Sequence, residues 1–208
     1  MKPLLEWRCD VCTRWSEGGV LDCLVCGTPR PSGDNERYGG FDDLDVVKTI
    51  GTGSFGRVFV AFSRTTSSVY AVKMAETVER ECKLLKSLKH RRIVRIFEFG
   101  EGFCVMEFVR GGELYSRIKR RRYTQSEAQT TTFQILDAVA YLHENGIVHR
   151  DIKPENILVD AKRNDVKICD FGSARYIRDE DDCDTFVTPE YAAPEMQGGS
   201  IVGFGVDC

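Results

Sequence analysis

The sequence predicts an α+β chain: a small four-cysteine finger, then a five-stranded sheet with one helix, then a partly helical remainder. Three observations carry that expectation. Four of the nine cysteines fall within the first 26 residues as two Cys-x2-Cys pairs. Between Leu44 and Phe108 come five short runs rich in Val, Ile, Phe and Tyr, interrupted once by apolar residues at helical spacing. From Thr124 to Gly146 a long helical pattern carries its own start and stop signals.

Of the 208 residues, 42% are hydrophobic and 29% charged, which places the chain among folded proteins rather than disordered ones. The 29 basic and 32 acidic side chains leave a net charge of −3, so no global positive field draws it to nucleic acid or to an anionic membrane. No apolar run approaches the ~20 residues needed to span a bilayer, and Met1 to Glu6 is too short for a signal peptide. The expectation is a soluble protein of the cytoplasm, the nucleus or both, with no membrane partner. Thiols stay reduced there, so the cysteines are expected as metal ligands or buried thiols rather than disulfides.

Cys9-x2-Cys12 and Cys23-x2-Cys26 let four thiolates converge on one Zn²⁺, each pair wrapping the metal with its own backbone turn, as in a zinc ribbon. Ser16-Glu17-Gly18-Gly19 suits a tight reversal between two short ribbons. So small a module depends on its metal, a structural zinc supplying on the order of 10 kcal/mol. Trp7-Arg8-Cys9 and the closing Cys26-Gly27-Thr28-Pro29-Arg30-Pro31 make residues 4–31 resemble the Ran-binding-protein type of zinc finger. That resemblance implies a ligand, either ubiquitin or single-stranded RNA. The chain departs from both patterns: Thr13 is followed by Arg14 where ubiquitin binders carry Phe, and Ser16 stands where the finger's usual Asn would be. Trp7, Trp15, Arg8 and Arg14 offer rings to stack on bases and guanidinium groups to meet phosphates; the plainer alternative is that Trp7 covers the metal site. Residues 32–43, with Gly33, Asp34-Asn35-Glu36, Gly39 and Gly40, read as a solvated linker to a main domain at 44–208.

In that domain Leu44–Ile50, Val58–Phe62, Val69–Met74, Ile93–Phe99 and Phe103–Phe108 read as strands. Glu76–Leu88 reads as a helix with Val78, Cys82, Leu85 and Leu88 on one face. Between the first two strands lies Gly51-Thr52-Gly53-Ser54-Phe55-Gly56-Arg57-Val58. Its glycines let a hairpin backbone approach closely, so that amide N–H groups can face phosphate oxygens. Another strand follows, where a dinucleotide-binding fingerprint would be followed by a helix. Tyr70-Ala71-Val72-Lys73 on the third strand then brings a lysine to the same phosphates.

Thr124-Gln125-Ser126-Glu127 is a capping box, and the run to Asn145, closed by Gly146, carries Phe133, Leu136, Val139 and Ala140 as its expected buried face. His149-Arg150-Asp151-Ile152-Lys153-Pro154-Glu155-Asn156 follows. On a rigid loop, an Asp can accept or orient a hydroxyl proton while an Asn five residues on binds a hard divalent cation. Asp170-Phe171-Gly172, directly after the strand Val166–Cys169, supplies a second oxygen ligand.

With these motifs in this order the chain resembles the eukaryotic protein kinase family, which implies a bilobal α+β kinase-like fold using ATP and Mg²⁺. By that resemblance the loop containing Gly51, Gly53, Ser54 and Gly56 covers the phosphates, and Lys73 contacts the α- and β-phosphates and pairs with Glu81. Met106 is the gatekeeper. The backbones of Glu107 and Val109 hold the adenine edge, Ile50, Val58, Ala71 and Leu158 sandwich the ring, and Glu113 lies near the ribose or the peptide. Asp151 receives the substrate hydroxyl, Lys153 steadies the transferred phosphoryl group, and Asn156 and Asp170 hold Mg²⁺. Lys153 and Thr188-Pro189-Glu190-Tyr191 before Ala193-Pro194-Glu195 resemble the serine/threonine-specific branch. The segment between Asp170 and Glu195 is expected to be regulatory, Thr188 included. A phosphate on Thr185 would pair with Arg150 and order it.

Lys73 and Glu81 are only eight positions apart, so the helix bearing Glu81 is expected to have lost its first turns. Val187 replaces the Gly that usually precedes Thr-Pro-Glu. The sequence stops at Cys208, one residue after Asp207, which resembles the aspartate that anchors the catalytic loop; helices of the second lobe, and the arginine partner of Glu195, are expected to be missing. The expected function is a serine/threonine protein kinase that transfers the ATP γ-phosphate to protein hydroxyls, with the finger for recruitment. The rival is a catalytically impaired kinase-like scaffold whose finger binds ubiquitin or RNA. Lys119-Arg120-Arg121-Arg122 reads as a solvated loop between two helices or as a nuclear-import or docking patch.

Overall fold

The computed structural model describes residues 7–8, 15–16, 39–53, 56–66, 68–160, 164–178, 188, 190–197 and 203–207. β1 (Trp7–Arg8) and β2 (Trp15–Ser16) pair as an antiparallel ribbon, with Trp7 opposite Ser16 and Arg8 opposite Trp15. Ser16, expected in a reversal, is therefore a strand residue. The zinc ligands Cys9, Cys12, Cys23 and Cys26 lie outside the described residues, as does the chain from 17 to 38.

The described residues fall into two compact units, one drawn from Met1–Glu79 with Ile96–Phe108, the other from Arg80–Arg95 with Val109–Cys208. In the first, β3 (Leu44–Gly53), β4 (Gly56–Ser63), β5 (Val69–Met74), β6 (Ile96–Gly100) and β7 (Phe103–Glu107) form one antiparallel sheet in the order β3-β4-β5-β7-β6. All five expected strands are present. The fourth starts at Ile96 rather than Ile93, because Ile93 belongs to the second unit, where it makes a single parallel bridge to Ile168.

Strand alternation divides the sheet's side chains between two faces. Ala61 opposite Tyr70, and Val72 opposite Val105, form a core against which Phe41, Leu44, Phe97 and Phe103 pack. A 3-10 turn at Phe41–Asp43 seals that face: Phe41 stacks on Phe103 with centroids 4.0 Å apart, and its N–H donates to Glu98 at 2.9 Å. Asp43 accepts hydroxyl hydrogen bonds from Ser63 and Thr65, which hold its carboxyl below the usual carboxylate range. On the other face the register places Val58 beside Lys73 and Lys73 beside Cys104, then Val60 beside Ala71 and Ala71 beside Met106.

α1 (Val78–Ser87), counted with the second unit from Arg80 onward, buries Val78, Cys82 and Leu85, as its spacing predicts, and α2 (Leu114–Arg120) follows in the second unit. α3 (Gln125–Glu144) starts as expected: the Thr124 hydroxyl accepts from the Glu127 N–H at 3.2 Å, and the Glu127 carboxylate accepts from the Thr124 N–H at 2.9 Å. Lys119 and Arg120, expected in a basic loop, are the last residues of α2, and Arg121 adds a two-pronged ion pair to Glu127 at 2.8 and 3.0 Å. Asn145 ends the helix and Gly146 takes the left-handed conformation (φ +71°) that reverses the chain.

The buried face of α3 differs from expectation. Gln134, Ala138, Val139 and Leu142 face the interior, while Phe133 is 72% and Leu136 53% exposed. Of the expected face Val139 is buried and Ala140 exposed, and the interior face is fastened where the Gln134 side-chain oxygen accepts the Val166 N–H at 2.9 Å. Beyond α3, β8 (Ile147–Val148) pairs with β11 (Arg175–Tyr176), and β9 (Ile157–Val159) pairs with β10 (Val166–Ile168), both antiparallel. A short α4 covers Pro194–Gln197. Among the described residues no helix is long and apolar enough to cross a membrane.

Candidate active site

In the first unit, sheet register gathers part of the expected nucleotide set. Val58, Lys73, Ala71 and Met106 share one face as direct cross-strand neighbours, and Gly51 lies opposite Val58. Lys73 is only 7% exposed, which excludes a solvated edge charge: a buried ammonium must answer to anionic groups. Glu107 lies opposite Tyr70 at the end of β7. Ile50 sits at a register shift in β3 and stays 47% exposed, an aliphatic side chain left for something to cover. Gly53 pairs with Gly56 where β3 meets β4, and Ser54 lies outside the described residues. Gly56 must be glycine: its φ is +111°, and a Cβ there would stand 2.2 Å from the Met74 carbonyl oxygen.

In the second unit the loop after β8 concentrates the chemistry. The Asp151 carboxylate receives three partners: Lys153 Nζ at 2.8 Å and Asn156 Nδ2 at 2.8 Å on Oδ2, and the Thr188 hydroxyl at 2.9 Å on Oδ1. Lys153 also donates to the Thr188 oxygen at 2.6 Å, closing a ring of Asp151, Lys153 and Thr188. Such a carboxylate is oriented rather than merely present, and an ammonium stands beside it to meet negative charge. Asn156, on the 3-10 turn Pro154–Asn156, spends its amide nitrogen on Asp151, so its amide oxygen is the atom left for a hard cation. Asp170 follows β10, and the Cys169 N–H before it donates to the Asn156 carbonyl at 2.9 Å, which couples the two expected Mg²⁺ ligands through one backbone bond.

Two residues here hold left-handed backbone without being glycine, Arg150 (φ 67°) and Asp170 (φ 58°). Each costs roughly 1 kcal/mol or more and persists only where its surroundings over-determine it. Around Arg150 they do. Asp207, in a 3-10 turn at Phe204–Asp207, accepts the His149 N–H at 2.8 Å and the Arg150 N–H at 2.7 Å, while His143 meets the same carboxylate at 3.0 Å. The Arg150 guanidinium donates to the Ser173 carbonyl at 2.6 Å. His149 is fully buried, edge-on to Phe171 with centroids 4.7 Å apart, and burial pushes its pKa down.

The other expected residues are placed as follows. Glu81, 8% exposed on α1, accepts the Phe171 N–H at 3.2 Å and so reaches the residue after Asp170 despite the shortened helix. Lys73 and Glu81 fall in different units. Glu113 and Leu158 are bridged as antiparallel neighbours, with the Val159 N–H donating to Gly112 at 2.8 Å; Val109 is buried at 8% exposure. Thr185 and Val187 lie outside the described residues, while Thr188, expected only as part of a regulatory segment, touches Asp151 and Lys153 directly. Its signal in the sequence is a hydroxyl side chain held before Pro189. Gln134 and Arg92, both buried, carry no sequence signal of their own.

The sequence profile of the protein kinase domain matches residues 44–208, so the chain belongs to the protein kinase family. It is similar to calcium/calmodulin-dependent protein kinase type 1 of Caenorhabditis briggsae, 37% identical over 198 residues, covering 86% of this chain and 54% of that protein. The protein of the same name from Caenorhabditis elegans is 37% identical over 183 residues, covering 80% of this chain and 53% of its own length. The chain thus spans about half the length of the curated relatives it matches.

Proposed function

We propose that this chain is an ATP-dependent serine/threonine protein kinase, acting on hydroxyls of protein substrates in the cytoplasm or nucleus. The observation that carries the reading is the ring of Asp151, Lys153 and Thr188 with Asn156 fastened to it. In the proposed reaction Asp151 orients the substrate hydroxyl and accepts its proton as the oxygen attacks the γ-phosphorus. Lys153 offsets charge on the transferred group, and ADP departs with the electron pair of the broken bond. Asn156 and Asp170 would hold Mg²⁺, which neutralises phosphate charge when bound; two protein oxygens suit a cation that keeps water and phosphate in its remaining positions. Lys73 and the backbone of Gly51, Gly53, Ser54 and Gly56 would hold the phosphates, with Glu81 paired to Lys73. Ile50, Val58, Ala71, Met106, Glu107, Val109 and Leu158 would hold adenine, and Glu113 the ribose or peptide. Arg150 and a phosphorylated Thr185 would regulate the segment that ends at Thr188.

The N-terminal residues 4–31 would bind Zn²⁺ through Cys9, Cys12, Cys23 and Cys26 and recruit the kinase to ubiquitin or single-stranded RNA. Support is the spacing of the cysteines and the closing Cys26-Gly27-Thr28-Pro29-Arg30-Pro31.

The test is phosphate transfer from Mg-ATP to a generic basic protein, comparing the chain with Asp151→Asn. Transfer that disappears in the variant supports the kinase. No transfer above the variant, from a preparation whose melting temperature still rises with Mg-ATP, overturns it in favour of the scaffold. Metal analysis of the purified chain should find zinc, lost in Cys9→Ser; its absence removes the finger.

A further inference from the structure

We propose that Arg92 is a positioning residue for the Asp170 metal ligand, holding β10 so that Asp170 is delivered in its strained conformation; this rests on the kinase reading above. Arg92 lies in the connection between α1 and β6, with its side chain only 8% exposed. Its guanidinium donates to Asp165 at 3.0 Å and to the side-chain oxygen of Gln134, and stands 3.5 Å from Asp137. Two of these partners adjoin the start of β10. Asp165 is the residue before it, and Gln134 receives the N–H of its first residue, Val166. The Arg92 carbonyl accepts the Ile168 N–H at 2.8 Å, and the Val94 N–H donates to the Ile168 carbonyl at 3.0 Å.

One arginine thus grips both ends of a three-residue strand, by side chain at Asp165 and by backbone at Ile168. Asp170 follows two residues later at φ 58°, a conformation that survives only if the chain before it cannot relax. The strand's ladder partner, β9, is itself three residues long and leads from Asn156, and Arg92 ties this short strand pair to α3 and to the connection after α1. Lysine at position 92 would keep a charge for Asp165 but lose the fork that reaches Gln134 and Asp137 together. Groups that hold a metal ligand in place without touching the metal set its affinity.

The experiment uses the full chain with Arg92→Met, Arg92→Lys and Asp165→Asn. Melting temperature is measured first, then binding of a fluorescent ATP analogue in EDTA and across a Mg²⁺ titration, then phosphate transfer across the same titration. Arg92→Met should raise the Mg²⁺ midpoint for nucleotide binding about tenfold, with EDTA binding unchanged and Arg92→Lys falling between it and the parent. A folded Arg92→Met whose Mg²⁺ midpoint equals the parent's, with only its melting temperature lowered, makes Arg92 a structural brace and overturns the proposal. Should that variant not fold, Asp165→Asn decides by the same midpoint, a rise supporting the proposal and no change overturning it. A parent chain that binds nucleotide with no Mg²⁺ dependence overturns the kinase reading itself, and the proposal with it, whatever the variants do.

Discussion

The Asp151 backbone N–H donates to Nδ1 of His149 at 3.3 Å, and that bond fixes which imidazole nitrogen carries the proton. Nε2 faces the Cys169 carbonyl, also at 3.3 Å, and a carbonyl can only accept. His149 is therefore the neutral Nε2–H tautomer, spanning from the loop of Asp151 to the residue before Asp170. A second proton would have to displace the Asp151 N–H in a fully buried site.

Acid should destabilise the protein through this ring. Burial holds the His149 pKa below its ordinary 6.5, so below that pH the unfolded chain takes up a proton that the folded chain refuses. Stability from this group is fully present above about pH 6.5 and declines as the pH falls beneath it. His90, whose pKa burial also lowers, adds to the same slope. Denaturant midpoints followed from about pH 7.5 to about pH 5.5 should fall for the parent and fall less steeply for His149→Gln. Parallel slopes would assign the acid sensitivity elsewhere.

Asp207 should matter for stability more than its distance in sequence from Asp151 suggests. Its carboxylate, with no exposed side-chain surface, is the acceptor for two buried N–H groups. Asp207→Ala strands both, at a cost of roughly 3 kcal/mol, whereas Asp207→Asn keeps one acceptor oxygen and should lose less. Equilibrium unfolding of the three chains checks the order; equal stability of Ala and parent would mean water reaches those groups.

Thr188 offers a cleaner test of catalysis. Its hydroxyl both donates to Asp151 and accepts from Lys153, so Thr188→Val should keep the fold and lower the rate of phosphate transfer by about 10²-fold through misplacement of both side chains. Thr188→Ser retains the hydroxyl and should recover most of the rate. Unchanged turnover in the Val variant would detach Thr188 from the reaction.

Much of this was legible in the sequence because local signals coincide with the final structure. The capping box at Thr124 and Glu127, the antiparallel runs on either side of the Gly51–Gly56 glycines, and the order Asp151, Asn156, Asp170 are all short-range patterns. What escaped depends on distance. Thr188 meets Asp151 across 37 residues and Arg92 meets Asp165 across 73, and neither pairing leaves a periodic trace. α3 escaped for another reason: Phe133 and Leu136 satisfy helical spacing as well as Ala138 and Leu142 do, so spacing alone does not choose the buried face.

The start of α3 should be a separable contribution to stability with its own pH signature. Thr124→Ala removes the cap to the Glu127 N–H and should cost about 1 kcal/mol. Glu127 is different, since its carboxylate serves Arg121 first and Thr124 second, and together they hold its pKa down from 4.5 to about 2. A depressed carboxylate stabilises the fold above its unfolded value of 4.5, and that contribution fades as the pH falls toward 2. The pair lies at the surface, so salt should weaken it. Helix content followed by circular dichroism down an acid titration should drop later for Glu127→Gln relative to its own neutral baseline, because the amide has no charge to lose. The parent should also lose more of its margin over that variant in 1 M salt than in dilute buffer. If the two chains titrate alike and respond alike to salt, the Arg121 pair contributes nothing and the Thr124 hydroxyl alone begins the helix.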